Sequence, residues 1–164
     1  MGIRHKTYSN TLDTLVCLLE SHKQVETITT GDIFDIDLEK HSKYPLAHVN
    51  IGNIDLSMSQ KTFNFQVFIM DISDEDNQQY VLNDTMQIMS DLIALLKHGE
   101  NTYTYNAQAG EEPRYWIDND FTFEPFTERF DNTLSGWVCN IGIIIESVLD
   151  SCDVPIDDSI VCIK

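Results

Sequence analysis

Phe63-Asn64-Phe65-Gln66-Val67-Phe68-Ile69-Met70-Asp71-Ile72 is apolar on both sides of an extended chain. Phe63, Phe65, Val67 and Ile69 take one face; Phe68, Met70 and Ile72 take the other. Side chains alternate across a strand, so such a run belongs inside a sheet, covered in part on both sides. An acidic turn, Ser73-Asp74-Glu75-Asp76, follows, and the period then changes. Leu82, Met86, Met89, Ile93 and Leu96 recur at steps of three and four, with Val81, Ile88, Leu92 and Leu95 widening the stripe. That spacing predicts an amphipathic helix. Asp74, Glu75 and Asp76 stand where a helix N-terminus favours acid, and Lys97 and His98 where its C-terminus favours base. Gly99 is placed for a left-handed stop. A central strand feeding a helix that packs back on the sheet is the organising unit.

Upstream, Leu12, Leu15, Val16 and Leu19 share a helix face, with Ser9 or Asn10 as cap and an end near Ser21-His22. Residues 25–30 are β-branched and extended, and Gly31 punctuates them. Residues 46–51 read as a strand after Pro45, and Gly52-Asn53 as a compact turn. Ile54, Leu56 and Met58 then alternate with Asp55, Ser57 and Ser59 toward the central strand. The result is a long hairpin projecting from a small sheet, a device for reaching a neighbouring subunit.

Downstream, residues 100–119 are the least regular part. Tyr103, Tyr105, Tyr115 and Trp116 are scattered there among Asn, Gln, Gly and Pro. Aromatics on a polar loop either meet a partner or cover the edge of their own core. Residues 121–126 resume a strand in which Pro125 suits an edge. Residues 134–146 form the second strong strand: Trp137, Cys139, Ile141, Ile143 and Ile145 on one face, Val138, Asn140, Gly142 and Ile144 on the other. The fold class is therefore α+β: a mainly antiparallel sheet with a long hairpin, flanked by an N-terminal helix and one long central helix. Residues 1–147 form one domain, and residues 148–164 an acidic C-terminal arm. Within the arm, Ile160-Val161-Cys162-Ile163 has the composition of a strand able to pair with another chain's sheet edge.

The 27 acidic residues outnumber 10 basic ones, giving a formal charge of −17. Such a surface repels nucleic-acid phosphates, so ordinary DNA or RNA binding is not expected. It still permits a negative passage through which DNA slides without sticking. No apolar run approaches membrane-spanning length, and residues 1–6 carry positive charge with no apolar run behind them, so no secretory signal is expected. Cys17, Cys139, Cys152 and Cys162 show no C-x-x-C spacing; Cys17 and Cys139 read as buried thiols.

No frame for catalysis stands out. There is no G-x-S-x-G elbow and no glycine-rich phosphate loop, and His5, His22, His41, His48 and His98 are dispersed. Asp32, Asp35 and Asp37, or Asp71, Asp74 and Asp76, have the chemistry to hold a hard divalent cation but lack a calcium-loop frame. No cofactor, metal or enzymatic activity is expected; the alternative from the acidic clusters is a small metal-dependent hydrolase.

Three stretches carry a resemblance. They are Thr30-Gly31-Asp32-Ile33-Phe34-Asp35-Ile36-Asp37-Leu38 with Tyr44-Pro45-Leu46-Ala47-His48-Val49, then Phe68-Ile69-Met70-Asp71-Ile72 with its following helix, and Glu124-Pro125-Phe126-Thr127-Glu128-Arg129-Phe130 leading to Leu134-Ser135-Gly136-Trp137. In order and texture, over roughly residues 8 to 147, the chain resembles tailed-bacteriophage tail-terminator or tail-completion proteins. The resemblance implies a virion protein, made in the host bacterial cytoplasm, that forms a ring, usually a hexamer. Such a ring caps the tail tube and joins it to the head or neck, and genomic DNA passes without specific binding. The partners implied are further copies of the chain, the tail-tube protein and the head-connector or neck proteins, with no membrane. A head-closure adaptor or tail-tube component is the neighbouring alternative. Tyr103, Tyr105, Tyr115, Trp116, Ile54, Leu56 and Met58 are then candidates for subunit contacts. Asp32, Asp35, Asp37, Asp74, Glu75 and Asp76 are candidates for the acidic lumen or surface. For the arm after Ser147 the resemblance supplies no counterpart and leaves its role open.

Overall fold

The computed structural model describes residues 7–32, 43–102, 104, 114–129, 133–147 and 149. In chain order the elements are α1 (Thr7–Ser21), β1 (Thr27–Thr30), β2 (Leu46–Leu56), β3 (Gln60–Ile72), α2 (Gln78–His98), β4 (Tyr115–Ile117), β5 (Phe123–Arg129) and β6 (Thr133–Glu146). The fold is α+β, as the periodicities predict. β3 lies inside the sheet, between β2 and β6 and antiparallel to both. β1 adds to the outer side of β2 in parallel, and β4 and β5 both pair with β6. Among the described residues β5 pairs with no strand besides β6, and such an edge is where Pro125 is tolerated.

Both helices pack on one face of the sheet. Leu15 and Leu19 of α1 and Ile88, Met89, Leu92 and Leu96 of α2 join Phe63, Phe65, Val67 and Ile69 of β3 and Cys139, Ile141, Ile143 and Ile145 of β6 in one core. The opposite face carries a smaller cluster of Leu46, Met70 and Leu134, with Tyr44, Phe68 and Phe126 against it. The central strand is thus apolar on both faces because each face has its own core.

Several details depart from the sequence reading. α1 starts at Thr7, so Asn10 is buried inside the helix rather than capping it. The buried stripe of α2 is Val81, Thr85, Ile88, Met89, Leu92 and Leu96, while Met86 and Leu95 are exposed. Thr85 is accepted in the core because its hydroxyl donates to the Val81 carbonyl at 2.6 Å. Trp137 Nε1 donates to the Leu82 carbonyl at 2.7 Å, fixing this end of α2 to β6.

The acidic residues lie before α2, not in its first turn. The Asp74 carboxylate accepts the N–H groups of Asp76 and Asn77 at 3.0 and 2.8 Å, and Asn77 Oδ1 accepts that of Asp74 at 2.8 Å. Asp74 therefore builds the turn that delivers the chain to the helix. At the other end Gly99 is not left-handed (φ −84°); Asn101 takes that conformation, at φ 61°. Gly99 is required for another reason: a Cβ there would collide with the Tyr115 hydroxyl.

Candidate functional site

The β2–β3 hairpin is the most exposed apolar part of the described molecule, and its two halves are built differently. Leu46, Ala47, His48 and Val49 are buried between β1 and β3. From Ile51 to Gln60 every residue is exposed. Gly52-Asn53 is not the turn. It is an irregularity within β2, where the register against β3 shifts between Ile51 and Ile54. The backbones approach closely there: a Cβ on Gly52 would stand 2.7 Å from the Asn64 carbonyl oxygen. The reversal comes at Ser57–Gln60, where Ser57 N–H donates to the Gln60 carbonyl at 2.9 Å and Ser57 Oγ accepts the Gln60 N–H at 3.1 Å.

This irregularity decides the surface. Ile51 and Ile54 are three positions apart, which in a regular strand puts them on opposite faces. The bulge re-phases the alternation, so Ile51 opposes Phe65, Ile54 opposes Phe63 and Leu56 opposes Lys61, all on the helix side of the sheet. Ile51, Ile54, Leu56 and Met58 are 43, 52, 57 and 77% exposed. Ile54, Leu56 and Met58 are therefore surface residues, and Ile51, which the alternation did not single out, joins them.

On the other face, Asn53 and Asn64 donate to the two oxygens of Asp55 at 3.1 and 2.7 Å. Gly52, Asn53, Asp55, Asn64, Phe65 and Asn140 line a shallow depression of about 370 Å³ there. The two amides orient the Asp55 carboxylate as part of an exposed polar surface.

The aromatic candidates separate. Tyr115 is 3% exposed, and its hydroxyl donates to the Leu96 carbonyl at 3.1 Å, so it belongs to its own core and not to an interface. Burial, and secondarily Glu100, push its phenol up from the usual value. Trp116 is half-buried on the opposite face, across from Ile144. Tyr103 and Tyr105 lie outside the described residues. The segment is held to α2 by Lys97, whose Nζ donates to Glu100 Oε1 at 2.8 Å, Asn119 Oδ1 at 2.9 Å and the Ile117 carbonyl at 3.2 Å. Glu100 Oε1 also accepts the Ile117 N–H at 2.9 Å, and the Lys97 bond above all holds its carboxyl below the usual range.

Asp32, Asp74, Glu75 and Asp76 are exposed; Asp35 and Asp37 lie outside the described residues. Among the described residues no group of three or more His, Cys, Asp or Glu side chains is placed to hold a metal ion. Asp71 is raised above the usual carboxylate range, chiefly by burial, with Asp84 adding to it against the Ile72 N–H bond.

His48 is buried and fully engaged. Its Nε2 lies 3.2 Å from the Gly31 carbonyl and its Nδ1 2.7 Å from Thr29 Oγ1. The carbonyl can only accept, so Nε2 carries the proton and Nδ1 accepts from the threonine. Burial, opposed by Gly31 and Asp32, lowers its pKa and keeps the ring neutral. Cys139 is buried and its thiol pushed up to about 11, an inert core thiol; Cys17 is only half-buried.

No family model matches the chain, and no curated protein matches it. Among the described residues no helix is long and apolar enough to cross a membrane.

Proposed function

We propose that the chain is a structural virion protein, a tail terminator whose copies close into a ring at the head–tail junction of a bacteriophage. The observation that carries this reading is the outer half of the hairpin. It leaves the cover of its own helices and displays Ile51, Ile54, Leu56 and Met58. Single exposed apolar residues are ordinary, but several together on a projecting strand pair mark an association surface. Burying them against a neighbour contributes about 25 cal/mol per Å² of apolar area. The sequence resemblance supplies the phage context and the hexameric expectation. The charge of −17 suits a bore that phosphates pass without adhering, and exposed Asp32, Asp74, Glu75 and Asp76 are candidates for its wall.

On this reading the protein is not an enzyme and uses no cofactor. It is made in the bacterial cytoplasm and ends in the virion, against the tail tube on one side and head-connector proteins on the other. Native mass spectrometry at several concentrations, alone and mixed with purified tails, tests it. A closed ring, present once per tail, is expected. A chain that stays monomeric and never associates with tails overturns the reading, and many rings per tail assigns it to the tube instead.

A further inference from the structure

β2 has two edges. One pairs with β3 along its length; the other pairs with β1 only from Leu46 to Val49. Gly31 N–H adds one last bond to the Val49 carbonyl, and beyond it the outer edge from Asn50 to Leu56 has no strand partner among the described residues. Exposed edges are templates for strand addition unless charge, proline or cover blocks them. This one carries no proline and a single charge, Asp55, beside Ile51, Ile54 and Leu56.

The chain's own C-terminal portion is delivered to this place. After β6 the backbone follows the hairpin turn: Ser147 N–H donates to the Ser59 carbonyl at 2.8 Å and Leu149 N–H to that of Met58 at 3.3 Å. The remaining residues, 150–164, therefore begin at the tip of the hairpin, and they contain Ile160-Val161-Cys162-Ile163, β-branched at three of four positions.

A straight return along the chain's own edge is out of register with the apolar run. The open edge, residues 50–56, is about 23 Å long at about 3.3 Å per residue. Running straight back from Leu149 beside Met58, one residue per residue, the chain would place Asp153 across from Ile54 and Pro155 inside the ladder. The apolar run at 160–163 would come level with positions 47 back to 44, past the open edge, and β1 already pairs at Leu46 and Ala47. In that register the apolar run passes beyond its own open edge. We propose that Ile160-Val161-Cys162-Ile163 of one copy adds as a strand to the outer edge of β2, residues 50–56, in a second copy. Main-chain bonds then satisfy part of the edge, and the run's alternate side chains come beside Ile54 and Leu56. The inference deepens the ring reading and rests on it for the presence of a second copy.

Cys162 lies within the run, so a cross-link tests the pairing. The full chain carrying Cys152→Ser and Ile54→Cys is oxidised with diamide and run on a non-reducing gel, with linked peptides identified by mass. Disulfides form only when the Cα atoms come within about 7 Å. Expected are covalent oligomers joining position 54 to Cys162, abolished by Cys162→Ser and absent when Lys23→Cys replaces Ile54→Cys. Mixing two chains of different tag length should give the mixed dimer. A link confined to single chains overturns the inter-copy pairing in favour of the chain's own edge. No link in a chain that native mass spectrometry shows as a ring overturns the strand addition and leaves the ring reading standing. No link in a chain that is monomeric at every concentration and never associates with purified tails overturns both.

Discussion

The inner and outer halves of β2 differ in surroundings far more than in sequence. Both carry apolar residues facing the helix side, Ala47 and Val49 in one, Ile51, Ile54 and Leu56 in the other. Ala47 and Val49 are fully buried under the core that includes Leu15 and Leu19; the outer three are about half exposed. Patterning assigns a side chain to a face, and neighbouring elements decide whether that face is covered. The boundary falls where β1 stops, at the Thr30–Val49 pair.

The sharpest test of that contrast uses two residues opposed in one ladder, Phe65 and Ile51. Phe65→Ala leaves a cavity in the core and should lower unfolding free energy by about 3–5 kcal/mol in a urea titration. Tyr115→Phe removes one buried hydrogen bond, to Leu96, and should cost about 1 kcal/mol by the same measurement; no loss would break the assignment of Tyr115 to the core.

His48 marks the covered half by its pH response. Its pKa is lower folded than unfolded, so the unfolded chain binds more protons between the two values. Its contribution is whole above the unfolded value, about 6.5, and is lost as pH falls from there toward the folded value. Denaturation midpoints compared at pH 7.5 and 5.5 should fall more for the native chain than for His48→Leu, the comparison cancelling the carboxylates common to both. The smallest effect belongs to the outer half. Ile51→Ser should change the stability of the monomer by no more than about 0.5 kcal/mol, yet weaken self-association in sedimentation velocity. A large loss of monomer stability would show that the chain's own residues cover this surface.

Most of the architecture was legible because the decisive elements are long and strongly periodic. β3, β6 and α2 each repeat their pattern often enough to fix both type and face. What escaped was local. The Gly52-Asn53 pair is a good turn signal, but permissive residues serve a bulge equally well, and Ser57 closes the hairpin with its own side chain. Missing the bulge meant missing Ile51, since the parity between it and Ile54 depends on the extra residue. β4 spans three residues, too few for a period, so Tyr115 looked like part of a loop. In α2, Thr85 faces the core because a carbonyl one turn back takes its hydroxyl, a contact that hydropathy does not encode. Of the candidate interface, Ile54, Leu56 and Met58 were readable as an alternation; their exposure was not, because it depends on where the cover ends.

The long β3–β6 ladder has a consequence for how the chain is made. The two strands pair from Gln60–Glu146 to Ile72–Leu134, yet α2, β4 and β5 lie between them in sequence. On the ribosome β3 emerges early and can close its hairpin with β2 at once, while its other edge waits until β6 is synthesised. During that interval a strand apolar on both faces stands open on one side, and non-local pairing of this kind closes slowly. The segment from Phe63 to Ile72 is thus where a nascent-chain chaperone would have most to shelter, and closure of this ladder, rather than formation of either helix, is the step expected to limit folding.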